Sequence, residues 1–127
     1  MTSIYVAGKL SGDLDNNKKK MIKYATELIK KGYIVYVPYW TFDIDLCNTH
    51  FDKPGEGDDF WADDEKKGYD FWVKWFDFYW LSKCDAIFFL PNWKESKGAT
   101  LEHDEAARLG MPMFFDLDDV PNKVEND

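Results

Sequence analysis

The chain lacks any apolar run near the ~20 residues that cross a bilayer, any signal-like segment ahead of its first apolar run at Ile4 to Ala7, and any C-x-x-C pair. These absences lead us to expect a soluble cytoplasmic protein whose cysteines, Cys47 and Cys84, stay reduced. A long basic stripe is also missing. The formal net charge is −8, and the lysines are scattered except at Lys18-Lys19-Lys20. Duplex DNA or RNA, which needs many phosphate contacts, is therefore excluded as a broad target. A single phosphate is not excluded, because a few backbone N–H groups at a helix start hold one whatever the global charge. There are no internal repeats or low-complexity tracts, no Gly-x-Ser-x-Gly elbow, and no His beside either Cys to make a thiol nucleophile. Metal chemistry is equally poorly supplied: His50 and His103 stand apart, and no three Cys or His lie close together along the chain. Asp13-x-Asp15-x-Asn17 opens like a calcium loop, but Lys18 replaces the required Gly and Tyr24 the required Glu. Neither metal nor cofactor is expected.

What is present is core material. Of 127 residues, 45% are apolar and 18% aromatic, enough for one hydrophobic core and too few for two domains. We expect a single domain over residues 1–127, with an acidic, partly loose tail over 116–127. Ile4 to Ala7, Ile34 to Val37, Ala86 to Leu90 and Met113 to Phe115 read as short buried strands. Met21, Ile22, Ala25, Leu28 and Ile29 recur at helical spacing and predict a helix from about Asn17 to Lys31, stopped by Gly32. A second helix is predicted over Gly98 to Leu109, ended by Gly110. Between them, residues 39–66 lack a period and read as a lid or binding loop. Residues 69–83 form an aromatic helix, including Phe71, Trp72, Trp75, Phe76 and Trp80, that needs cover on more than one side. In so small a protein the second cover is expected from another subunit, in a homodimer or higher homo-oligomer. Alternating strands and helices give an α/β fold: a doubly wound parallel sheet of four to five strands, Rossmann- or flavodoxin-like, with ligands at the carboxyl ends of the strands.

The pattern singles out a few polar residues. Glu102, expected in the first turn of its helix, shares a face with Ala99, Ala106 and Leu109, and a carboxylate in an apolar stripe is costly unless something uses or pairs it. Helix capping or a solvent-facing stripe edge is the competing account. Asp77 repeats the anomaly beside Val73, Trp80 and Leu81; two such carboxylates suit acid–base or nucleophilic work on a sugar, against a structural pairing with Lys or Tyr. The Gly8-Lys9-Leu10-Ser11-Gly12 turn follows the first strand and would let a ligand approach the backbone. It is neither a Walker loop nor a G-x-G-x-x-G, and an ordinary tight turn is the alternative. Ser96 and Gly98 form a second candidate anion seat at a helix N-terminus, with Ser96 as a plain N-cap the alternative.

Ile4-Tyr5-Val6-Ala7-Gly8 with Ser11-Gly12, then Leu81 to Ile87, then Ser96-Lys97-Gly98-Ala99-Thr100-Leu101-Glu102 with Ala106 and Gly110, together resemble the nucleoside 2-deoxyribosyltransferase-like superfamily. That group includes the 2'-deoxynucleoside 5'-phosphate N-hydrolases and uncharacterised phage and bacterial proteins. The resemblance implies that Glu102 is the nucleophile at C1', that Tyr5 orients it, and that Asp77, eight residues before Asp85, holds the sugar hydroxyl or assists the leaving base. It also implies a phosphate-binding role for Ser96, six residues before Glu102, where the transferases tend to carry Asp. Trp40, or another aromatic of the 39–66 loop, would stack on the base. The chain departs from the hydrolases at Ser11, where they carry Arg, and in its longer Pro91 to Glu95 segment. The implied activity is hydrolysis of the base–sugar bond of a (deoxy)nucleoside 5'-monophosphate through a glycosyl ester on Glu102. Base exchange and a non-catalytic nucleotide sensor are the alternatives.

Overall fold

A computed structural model of the protein describes residues 1–9, 14–38 and 77–123. Four parallel strands, β1 (Ser3–Ala7), β2 (Ile34–Tyr36), β3 (Ala86–Phe89) and β4 (Met113–Phe114), form one sheet in the order β2-β1-β3-β4. Helix α1 (Leu14–Lys30) joins β1 to β2, α2 (Phe78–Lys83) precedes β3, and α3 (Lys97–Leu109) joins β3 to β4. Short 3-10 turns cover Trp93–Glu95 and Leu117–Asp119.

Strand alternation sorts the core into two halves. Ile4, Val6, Phe88 and Leu90 pack with Met21, Ala25 and Leu28 of α1. Tyr5, Ala7, Ile87 and Phe89 pack on the other face with Leu81 of α2 and Ala99 and Ala106 of α3. Helices therefore cover both faces, which is why the central strands are apolar throughout and why the sheet is doubly wound, as expected. The chain reverses its direction of travel between β1 and β3, so the carboxyl ends of these two strands flank the topological switch point.

The strands and helices fall where the periodicity put them, with corrected ends. α1 begins at Leu14 instead of about Asn17, with Asp15 in its first turn, where the helix dipole favours an acid. Its buried stripe is Met21, Ala25 and Leu28, at i, i+4 and i+7, whereas Ile22 and Ile29 lie one step round the helix and are exposed. Leu109 of α3, expected on the buried face, is likewise exposed at the last turn. α3 stops there because Gly110 adopts φ 70°, and Gly110 and Met111 return their N–H groups to the carbonyl of Ala106. β2, β3 and β4 each end one residue before the apolar run does. Leu90, just past β3, still donates its N–H to the Ala7 carbonyl at 2.9 Å.

The segment after β4 is less loose than its acidity suggests. Val120 is 1% exposed in the α1-side core, the Tyr33 hydroxyl donates to the Pro121 carbonyl at 2.6 Å, and Lys123 N–H donates to the Lys31 carbonyl at 2.8 Å. Of the aromatic helix expected over 69–83, only the part from Asp77 onward lies within the described residues, with Tyr79 and Trp80 exposed. The loop at 39–66 lies outside them. Among the described residues no helix is long and apolar enough to cross a membrane.

Candidate active site

Tyr5 stands mid-strand in β1 with its side chain on the α2/α3 face and is fully buried. Glu102 meets it from α3. Because Ser96 caps that helix and Lys97 begins it, Glu102 falls in the second turn, not the first as the spacing suggested. Its carboxyl is 3% exposed, on the face of α3 that carries Ala99 and Ala106, and Oε2 accepts the Tyr5 hydroxyl proton. Asp77 arrives at the N-terminal end of α2, 7% exposed, and makes no capping hydrogen bond to that helix. The solvent-facing and capping accounts of Glu102 are thus not what the geometry holds.

The electrostatics tie the three groups together. Burial first, and then the negative charge of Asp77, push the Glu102 carboxyl well above the ordinary range, while the Tyr5 hydrogen bond pulls it back. Burial, then the charges of Glu102 and Asp77, raise Tyr5 as well, so the phenol keeps its proton and acts as donor. Burial and the Asp77 charge thus favour the protonated form of Glu102, and a positive charge developing beside it would favour the carboxylate. A sugar passing through an oxocarbenium-like state supplies such a charge.

The backbone around the switch point is tightly set. A Cβ on Gly8 would stand 3.0 Å from Leu90 Cβ and 3.4 Å from Asn92 Oδ1, so only glycine lets the turn after β1 lie against the end of β3. Lys9 N–H donates to Asn92 Oδ1 at 3.2 Å, and Lys9 Nζ lies 3.9 Å from Glu95 Oε1 in an exposed pair. Leu10, Ser11, Gly12 and Trp40 lie outside the described residues. Ser96 is the N-cap of α3: its buried Oγ accepts from Ala99 N–H at 3.1 Å, which leaves the hydroxyl proton to donate elsewhere. Gly98, buried in the first turn, is part of the same helix start.

Two residues that spacing did not single out belong to this edge. Asn92 was signalled only by its place just past the carboxyl end of β3. Tyr36 carries no sequence signal, because its stacking on Tyr5 follows from the parallel register that opposes the two residues.

Other groups are accounted for differently. Asp85 Oδ2 accepts from Thr2 N–H at 2.7 Å and Ser3 N–H at 3.0 Å, and these bonds hold its carboxyl below the usual range. Burial pushes the Cys84 thiol up to about 11, which keeps it protonated and unreactive at neutral pH. His103 stacks on Trp93 with centroids 4.8 Å apart, and among the described residues no three His, Cys, Asp or Glu converge as a metal site would require. Among the described residues, open cavities of about 280 and 320 Å³ share Tyr24 and Pro91 on the α1 side of the sheet, and neither is lined by Tyr5, Asp77 or Glu102. The buried acid pair, and not these hollows, is where reactive groups converge.

No curated protein and no solved structure matches the chain. Residues 2–53 and 71–115, a span that takes in every strand together with Tyr5, Asp77, Ser96 and Glu102, match the family described as Domain of unknown function (DUF4406), and the chain belongs to that family.

Proposed function

We propose that the protein is an N-glycosidase that hydrolyses the base–sugar bond of a (deoxy)nucleoside 5'-monophosphate through Glu102. The observation that carries this reading is the buried Glu102 carboxyl, bound by the Tyr5 hydroxyl and sharing its site with Asp77. In the first step a Glu102 oxygen attacks C1', the C1'–N bond breaks, and its electron pair leaves with the base, which takes up a proton. Asp77 would deliver that proton or hold the sugar hydroxyl. In the second step water attacks C1' and gives up a proton to the group that protonated the base, the ester to Glu102 breaks, and the sugar 5-phosphate leaves with the enzyme restored. Tyr5 donates to the ionised carboxylate and so stabilises the attacking form. Ser96, with its free hydroxyl proton, and the first N–H groups of α3 would receive the phosphate.

The test is incubation with a panel of deoxy- and ribonucleoside monophosphates, following free base and sugar phosphate by chromatography. Base release that disappears in Glu102→Ala is the expected result. A panel that yields no base, or a Glu102→Ala protein with the full rate, sinks the proposal. Adding a second free base separates hydrolysis from exchange, since only exchange yields a new nucleotide.

A further inference from the structure

The groups described so far leave one arrangement unused, a column of three aromatic rings that ends in the acid site. Tyr36 stacks on Tyr5 with centroids 5.4 Å apart and planes 21° apart, and Trp80 stacks on the other side of Tyr36 at 5.2 Å and 17°. The rings come from three elements, β1, β2 and α2, and Trp80 is 40% exposed although it is the largest side chain of its helix. Offset stacking of this kind fixes ring planes relative to one another. Tyr5 has only its ring plane and hydroxyl direction with which to hold Glu102, so whatever fixes that ring fixes the bond.

We propose that Tyr36 and Trp80 are positioning residues: the column sets the Tyr5 ring so that its hydroxyl meets Glu102, and it ties the helix that brings in Asp77 to the strand that carries Tyr5. Three features support this. Among the described residues β2 is an edge strand paired only with β1, and its register places Tyr36 directly opposite Tyr5. Asp77 stands directly ahead of Phe78, the first residue of α2, so its position follows what the side chains of that turn grip. Within it Leu81 anchors the core and Trp80 grips the column, three positions after Asp77. The rings thereby join the helix of Asp77 to the strand of Tyr5, alongside the direct packing of α2 on α3.

The kinetic side of this inference rests on the N-glycosidase reading, but the column itself can be tested without substrate. Carboxyl carbons are labelled with 13C-glutamate, and the titration of Glu102 is followed by NMR in wild type, Tyr36→Leu, Tyr36→Phe and Trp80→Ala, each also in a Tyr5→Phe background. Losing the column weakens the Tyr5 bond that pulls the carboxyl down, so Tyr36→Leu and Trp80→Ala should titrate at higher pH than wild type. Tyr36→Phe, which keeps the ring, should restore the wild-type titration. In the Tyr5→Phe background the same substitutions should produce no further shift, because the coupled bond is already gone.

A shift of equal size in both backgrounds would mean that Tyr36 and Trp80 only fill space, and would overturn the proposal. So would a Tyr36→Phe protein that behaves like Tyr36→Leu. Trp80→Ala, at a part-exposed position, supplies the result if Tyr36→Leu fails to fold. With a nucleotide substrate, the column variants should lower kcat by about tenfold with little change in KM, as small misplacements of reacting groups do. Absent base release with an intact titration cycle would sink the catalytic reading and leave the column standing. Glu102-dependent base release with no coupling would do the reverse.

Discussion

Glu102 occupies a position that folding alone would not choose, since burial and the charge of Asp77 both penalise its ionised form. Its carboxyl titrates higher in the native chain than in the unfolded one, so between those two values the native state binds more protons. Stability from this group is therefore full below the ordinary carboxylate range and is lost as pH rises through the native value. Glu102→Gln should raise Tm at neutral pH, by about 4 °C for each kcal/mol relieved in a domain of this size, and the gain should shrink as the buffer is taken toward pH ~4.3. Base release should fall by roughly a thousandfold or more in the same variant, as when other nucleophiles are removed. More stability with less activity, read by calorimetry and by chromatography, is the signature of a strained catalytic acid. Tyr5→Phe removes the hydrogen bond that holds the Glu102 carboxyl down. The acid limb of kcat/KM should then move to higher pH, and an unmoved limb would contradict a role for Tyr5 in tuning the nucleophile.

Among the elements, β1 is the one that every other depends on. It is central, paired with β2 and β3, and its start is clamped by Asp85 just ahead of β3 through two backbone N–H groups. Because those bonds favour the charged form, the folded value of Asp85 is lowered, and the stability it adds is present above the ordinary aspartate range and lost as pH falls through the native value. Asp85→Asn should lower Tm at neutral pH, with the difference from wild type closing in strong acid. This is the opposite pH trend from Glu102→Gln, and thermal melts across a pH series separate the two. The helices follow ordinary end signals. Ser96 caps α3 and Gly110 ends it in a left-handed turn, both visible as residue types in the sequence. The edge of β1 and β3 is set more finely, by the absence of a side chain on Gly8 against Leu90 and by Asn92 bonding Lys9 N–H.

The whole molecule is a two-sided core around one parallel sheet, and the chain after β4 closes one of those sides. Val120 fills space against α1, and Pro121 and Lys123 bond to Tyr33 and Lys31 at the end of that helix. Val120→Ala should therefore cost roughly 2 kcal/mol, the scale of a buried aliphatic truncation. The midpoint in urea should drop with the slope unchanged, whereas an acidic tail that stayed solvated would show no effect. The acid site lies on the other side of the sheet, so this variant should keep its activity at temperatures where it is folded. Net charge of −8 acts on the molecule as a whole and disfavours polyanions, yet it leaves room for one phosphate at a helix start.

Periodicity determined the fold class, because apolar runs of four and stripes at i, i+4 and i+7 admit few ways to bury themselves, and a βα alternation admits essentially one sheet type. It also marked Glu102 and Asp77, since a carboxylate among apolar neighbours is conspicuous in one dimension. What it could not decide was anything that depends on which strands are neighbours. Pairing β1 with β2 placed Tyr36 on Tyr5, pairing it with β3 placed Gly8 against Leu90 and Asn92, and the docking of α3 brought Glu102 to Tyr5 across ninety-seven positions of chain. Val120 shows the same limit: local composition reports only the acidity around it, but the residue is buried by a helix some ninety residues earlier. Local spacing fixes which face of an element is apolar, and only the assembled sheet fixes what that face meets.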